Sequence, residues 1–595
     1  MTAMRGRLGR ASIAACALLA GANTPAEDGS GAPGATEEPV ENFVLESASG
    51  GRRELYSEER GRKATVIAFT AVDCPIAKLL APRLGRIEKQ YRGRGARFLG
   101  VDPNLQDSQD EIAAFARDAS IDFPILLDPR QVVTDRLGVT RTTEVFVLDA
   151  EFRVVYRGAV DDQYSVGAAR PEPTANHLID ALEASLAGRP VVAAPTDAPG
   201  CLVGRVKQDA KEADVTFWRD AAPILWKNCA ECHRPGQMGP MSFLDVDEAR
   251  GWAPQIAEVV ESGRMPPWHA DPRYGHFENE RRLTETEKRT LVLWAASGAK
   301  PGDPKDAPPA PTFADPEWAI GKPDLVLALP GEQQIPAEGV VPYRYVEVDP
   351  NLTADAWVQC VEMKAGNRAV THHVGAYLLP PGMRGRQLSD GLLFGGSGPG
   401  TRPIALADGY GKRVPKGSHF LFELHYTPNG KAATDRTRMA LRYSRVPVTH
   451  EVRSHTIANM AIDVPPNDPN ATFTCTDVFR TPALLTSLMP HMHLRGKSFR
   501  FELERLSGER SILLDVPKYD FNWQHTYALA EPIPVAAGDK LRLTAVYDNS
   551  KDNPANPDPN RRVRWGQQTF EEMMVGFVLL ELPVPPGSEA AGGSR

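Results

Sequence analysis

Cysteine is scarce, with 7 among 595 residues, so a disulfide scaffold is excluded and each thiol is read for chemistry. Basic tracts are missing beyond the N-terminus and the net charge is −8, which excludes nucleic acid as the partner. Past the N-terminus no stretch reaches the ~18 apolar residues that a bilayer span requires. Histidine is sparse too, at 13 residues, yet nine of them lie beyond position 370. Turn formers are plentiful: 50 Gly and 52 Pro favour strands and turns over helical bundles. The length itself demands several domains.

Arg5, Arg7 and Arg10 precede an apolar run that ends in Ala20-Gly21-Ala22, the pattern of a secretory signal over residues 1–22. Export to a periplasmic or extracellular space is expected, without lipid anchoring at Cys16. The mature chain then works where thiols can pair. Residues 40–203 alternate apolar runs such as ATVIAFTAV and TEVFVLD with helix-like segments, an α/β pattern. Residues 213–303 read as a small all-α domain, 304–316 as a proline-rich linker, and 318–585 as short alternating strands of all-β sandwiches.

The helical stretch contains Cys229-Ala-Glu-Cys232-His233. In c-type cytochromes this spacing lets two thiols bond one porphyrin edge while the histidine ligates iron. One haem c per chain is expected, on a cytochrome c domain, with His233 as one axial ligand. Met265 in GRMPPWHADP is chosen for the opposite face, because the following proline holds its loop. Met238, Met241 and His269 are rivals.

Four histidines come in pairs, His372-His373 in AVTHHVGAYL and His491/His493 in MPHMHLRG. Alternate residues of a strand share a face, so His491 and His493 can address one point. His425 lies in FELHYT, and Met573 and Met574 follow in EEMMVGF. Imidazole with thioether suits a metal cycling between Cu(II) and Cu(I), whereas zinc favours carboxylate or thiolate.

This ordered series resembles the copper type II, ascorbate-dependent monooxygenases, the family of peptidylglycine and dopamine β-hydroxylases. The resemblance implies two β-sandwich domains, here 318–445 and 446–585, and two coppers per chain. His372, His373 and His425 would hold an electron-transfer copper; His491, His493 and Met573 would hold the copper that activates O2. Positions that bind an anionic substrate terminus in that family are Met489, Val575 and Phe577 here, which implies a small neutral or apolar substrate. Cys360 and Cys475 stand where family disulfides have only one half, so free thiols are expected.

Residues 40–203 resemble the redoxin branch of the thioredoxin-like fold, with Cys74 in FTAVDCPIA as its candidate catalytic thiol. Ala77 stands where a local partner cysteine would be, and Cys201 is a possible distant one. The alternative is a docking domain that retains one cysteine. The order redoxin, cytochrome c, copper monooxygenase resembles exported bacterial fusion proteins. It implies that haem supplies electrons drawn from a reduced cytochrome, a quinol-linked carrier or an ascorbate-like reductant. A redox or copper carrier without oxygenase turnover, and a thiol peroxidase with accessory haem, are the competing readings.

Overall fold

Four regions follow one another along the chain. The computed structural model describes residues 38–584 except 60–61, 166, 171, 192–194, 205–213, 236, 238, 314–316, 385–390 and 399–400. The export signal, Met238 and part of the proline-rich linker therefore lie outside the described residues.

The first region is a seven-stranded sheet flanked by helices. An interior strand, Ala64–Phe69, is buried along its whole length and runs parallel to the central Ala96–Asp102, which pairs parallel with Ile125–Leu127. Continuous apolar runs suit strands covered on both faces. Separate cores duly fill the two sides, one around Val66, Leu84 and Leu178 and the other around Ile67, Leu99 and Phe146. The helix Pro75–Arg92 begins directly after Cys74, its N-cap residue.

The second region is helical, comprising Ala222–Asn228, Val246–Gly251, Ala253–Glu261 and Glu285–Ala296 around Phe217, Trp252 and Trp294. The last helix starts at a reciprocal cap, where the Thr284 hydroxyl accepts from Glu287 N and Glu287 accepts from Thr284 N. Between the last two helices the chain leaves the region. Trp268 and Phe277 enter the core of the C-terminal sandwich, and Phe277 bridges Leu529 in antiparallel register.

The remaining chain forms two sandwiches that share a sheet. A nine-stranded sheet passes from Leu325–Ala328 through Ala356–Lys364 and Tyr410–Val414 to His450–Ala458, Val575–Pro583 and Ala483–His491. The seam is the parallel pairing of Tyr410 with His450 and of Gly411 with Glu451. The expected boundary at 445/446 lies in the loop between Arg438–Tyr443 and His450–Ala458, and the shared sheet continues from one sandwich to the other through that parallel pairing. Each sandwich is closed by a four-stranded sheet of its own. No helix among the described residues is long and apolar enough to cross a membrane.

Candidate metal centre

Strand periodicity aims the first histidine set. In Thr371–Leu379 and His419–Tyr426, residues such as Val374, Ala376, Phe420 and Phe422 fill the first sandwich, while Tyr377, Leu379 and Leu421 face Met573, Val575 and Phe577 of the second. His373 pairs directly with His425, which lies two residues beyond Glu423 and four beyond Leu421 on the same face. Consecutive residues of a regular strand would point oppositely, so His372 ought to turn away. A register shift between Thr371 and His373 makes His372 a bulge residue and brings its ring back. The ligand atoms of His372, His373 and His425 all lie within 4.8 Å of one another.

The second set is placed by the other sandwich. His491 ends the strand Ala483–His491 and pairs with Val575, the first strand residue after Met573 and Met574. Glu572 fixes that arrangement. Its carboxylate accepts from His493 N at 2.9 Å and Arg495 N at 2.6 Å, while Tyr547 donates to Met573 O at 2.7 Å. The Met573 thioether is buried with Tyr377, Val575 and Phe577. The rings of His491 and His493 stand 5.3 Å apart.

The rings are held in ligating form. His491 Nδ1 donates to Gln524 Oε1 at 2.5 Å and His493 Nδ1 to Glu571 O at 3.2 Å, which leaves the lone pair of each ring on Nε2. Burial lowers every one of the five imidazoles: His372 and His491 to about 4, His493 to about 3, and His373 and His425 well below the ordinary value. All are neutral at pH 7. Among the described residues, buried His425 Nδ1 and His491 Nε2 have no hydrogen-bond partner. An unsatisfied buried acceptor costs about 1–3 kcal/mol, a cost that a bound cation removes. The donor set thus fits copper.

The two sets lie on either side of two aromatic rings. Tyr343 stacks on His425 at 4.7 Å, reaches His373 Nε2 at 3.2 Å with its hydroxyl, and lies 6.3 Å from the His493 ring. Phe521 lies 5.7 Å from His425 and 6.0 Å from His493. Facing sheets press both sets into one buried cluster with these two rings between them.

Residues 451–580 match the family model for the copper type II ascorbate-dependent monooxygenase C-terminal domain. The AhpC/TSA family model matches residues 36–161. The thiol-disulfide oxidoreductase ResA of Bacillus subtilis is 30% identical over 114 residues, 19% of this chain, and the match spans 62% of that relative. Among solved structures, a hypothetical protein from Sinorhizobium meliloti is 25% identical with a TM-score of 0.26, covering 28% of this chain and 95% of its own. Peroxidoxin BcpB from Mycobacterium tuberculosis is 22% identical with a TM-score of 0.21, covering 27% and 100% respectively. The chain therefore joins a thioredoxin-like redoxin domain to a copper type II monooxygenase domain.

Around the C-x-x-C-H motif, Cys232 N and His233 N both bond to Cys229 O, at 3.1 and 2.9 Å, so the three residues share one turn. His233 stacks on Phe243 at 4.7 Å, with its Nδ1 3.1 Å from Met241 Sδ. Met241 is thus the thioether beside this ring. Met265 sits half-buried after Ala253–Glu261, its N–H on Val259 O at 3.0 Å. The rival His269 lies 6.3 Å from His525, a buried ring whose Nε2 has no partner among the described residues. Cys232, Arg234, Arg368 and His372 line one cavity of about 230 Å³, so the C-x-x-C-H turn opens onto the first histidine set.

Cys74 is fully buried against Ala71, Ala77 and Cys201. Cys360 is buried and Cys475 donates to Ala458 O at 3.3 Å; all six described cysteines are free thiols. Tyr343, Phe521 and Gln524 were not found from the sequence, since none belongs to a motif. The spacing of Gln524 to His525 in FNWQHTY is the one signal that could have drawn attention to that loop.

Proposed function

We propose that this protein is an exported two-copper monooxygenase that hydroxylates a C–H bond of a small neutral or apolar substrate. The overall balance is RH + O2 + 2 e⁻ + 2 H⁺ → ROH + H2O. The observation that carries the reading is the convergence of five neutral imidazoles, His425, His491 and His493 buried and His372 and His373 half-buried, two of the buried rings with unpartnered nitrogens, beside a match to a copper monooxygenase domain.

His372, His373 and His425 would hold one copper; His491, His493 and Met573 would hold the other. When bound, copper supplies one-electron chemistry and O2 activation, and haem supplies electrons. The chain's own residues do the rest. Gln524 and Glu571 O hold the tautomers of His491 and His493. Glu572 ties the ligand methionine's segment to the histidine turn. Tyr343 and Phe521 exclude water between the sets. Substrate polarity is read from Val575 and Phe577, apolar and packed beside Met573, with the Phe577 ring 6.2 Å from His491.

Haem attachment at Cys229 and Cys232, with His233 on iron, is supported by thiol chemistry. Burial pushes Cys229 up to about 12 and Cys232 upward as well, the opposite of a reactive redox dithiol. Burial lowers His233 to about 4, the neutral form that binds iron. Met265 is proposed on the opposite face, with Met241 as its competitor. The cavity shared by Cys232 and His372 favours direct electron delivery into the first copper set. The redoxin domain serves as a redox accessory or docking module.

Metal and haem analysis of the full chain should return about two coppers and one covalent haem. The combined His491→Ala and Met573→Ala variant should lose about half of the copper. Turnover under ¹⁸O2 should place one labelled atom in an organic product. Full copper and haem content without label incorporation would refute hydroxylation and leave a redox carrier.

A further inference from the structure

The metal chemistry leaves Cys74 and Cys201 unused, yet the fold is built to bring them together. Cys74 caps the helix Pro75–Arg92, where unpaired amides favour negative charge. Three residues on stands Ala77, so no second thiol comes from the same turn. Cys201 arrives instead on a strap from beyond the redoxin sheet. Thr142 N donates to Cys201 O at 3.0 Å, Val203 N donates to Thr140 O at 2.9 Å, and Arg141 bridges Leu202 in antiparallel register. Arg141 Nη1 donates to Gly200 O at 2.7 Å, and the Thr143 hydroxyl donates to Pro199 O. A Cβ on Gly200 would stand 2.7 Å from Thr143 Oγ1, so only glycine lets the strap lie this close.

The strap's other side belongs to the helical region. Leu202 N donates to Gln255 Oε1 at 2.8 Å, Arg141 Nη2 reaches Glu258 at 3.3 Å, and Cys201 packs on the core around Trp252. The two thiols thus meet at the boundary between the modules. Their exposures differ: Cys74 is sealed, whereas Cys201 is partly open to solvent.

We infer that Cys74 and Cys201 form a reversible dithiol–disulfide couple whose exchange partner is an external dithiol or disulfide that reacts at Cys201. From the oxidised couple, a thiolate of the external dithiol attacks the Cys201 sulfur. The S–S bond breaks and its electron pair leaves on Cys74. The second external thiol loses its proton and attacks the external sulfur of the mixed disulfide, expelling Cys201, which takes up a proton. Two electrons pass to the protein pair and the external dithiol becomes a disulfide. One proton ends on Cys201 and the other in solvent, while Cys74 stays a thiolate. Oxidation is the reverse.

The electrostatics agree with this division of roles. The Cys201 S–H donates toward Cys74 and draws its thiol down to about 6 against the effect of burial, while Cys201 is pushed up. A stable thiolate is the better leaving group, and the exposed sulfur is the one that can be attacked.

The test uses the full-length protein, equilibrated in graded mixtures of reduced and oxidised dithiothreitol, quenched in acid, alkylated and mapped by mass spectrometry after proteolysis. One cross-linked peptide joining positions 74 and 201 should appear with the two-electron dependence of a single couple. Cys74→Ala and Cys201→Ala should each abolish it. With glutathione disulfide, Cys201 in Cys74→Ala should acquire glutathione at least about tenfold faster than Cys74 in Cys201→Ala. Absence of the 74–201 peptide from the wild-type protein at every ratio would overturn the couple, and the wild-type map stands even if a variant misfolds. Faster glutathione capture at Cys74 would overturn the assignment of the reacting sulfur.

Discussion

Replacing Gln524 by leucine should weaken copper at one set and leave the other intact. The side chain accepts from His491 Nδ1 at 2.5 Å and anchors itself on Phe521 O at 3.3 Å, in a site where His491 is 5% exposed. Leucine keeps most of the volume but removes the acceptor, stranding a buried N–H at a cost of about 1–3 kcal/mol. The ring is then free to rotate or to exchange tautomers, which removes the lone pair from Nε2. Loss of such an outer partner typically weakens metal binding about 10–100-fold, equivalent to about 1.4–2.7 kcal/mol, so the two routes to the magnitude agree. The assay is competition for Cu(I) against a graded chromogenic chelator, resolving two affinities per chain, with circular dichroism to verify folding. One affinity should fall within that range. Gln524→Glu, which keeps an acceptor, should stay within about threefold of wild type. Wild-type affinity at both sets in a folded Gln524→Leu protein would refute the claim that this amide holds a ligand tautomer.

His425→Ala should reduce copper from about two ions per chain to about one, read by elemental analysis, with the His491 set still loaded. Glu144 accepts from Arg157 at 2.7 and 3.0 Å and from the backbone of Thr140 and Arg141, so Glu144→Ala should cost about 3–5 kcal/mol in urea unfolding by stranding a buried guanidinium. Lys412 is buried over Phe394, bonded to Ser454 at 3.2 Å, and burial lowers it to about 7. Its folded value lies below its unfolded one, so between about 7 and 10.5 the unfolded chain holds a proton that the fold has shed, and stability rises with pH across that window. Lys412→Met should flatten that slope and add on the order of 1–4 kcal/mol at pH 7, measured by denaturant titration at pH 7 and 9; an unchanged slope would show that Lys412 stays solvated.

The candidate site residues were legible because each sits in a short pattern. His372-His373, His491/His493 and Cys229/Cys232/His233 announce themselves by spacing, and the run ATVIAF reads directly as a strand covered on both faces. What pattern could not convey was distance between patterns. Tyr343 and Phe521 join the two histidine sets, yet they lie 178 residues apart and carry no motif. Long-range packing of one sheet face on another decides their meeting, and no local periodicity encodes it. The shared sheet was missed for the same reason, since only Tyr410 and Gly411 carry the crossing. Cys201 was visible as a letter, but its approach to Cys74 depends on a strap whose partners, Thr140 to Thr143, lie some sixty residues earlier.

The bulge at His372 makes the first histidine set depend on chain length as much as on composition. Removing a single residue between Asn367 and Thr371 would let the surplus be absorbed into regular pairing and swing one imidazole to the opposite side of the sheet, although every histidine remained in the chain. Apart from Val370, which fills the core, that short stretch should therefore be more sensitive to deletion than to substitution, so that spacing is what a designer moving this centre into another sandwich must copy first.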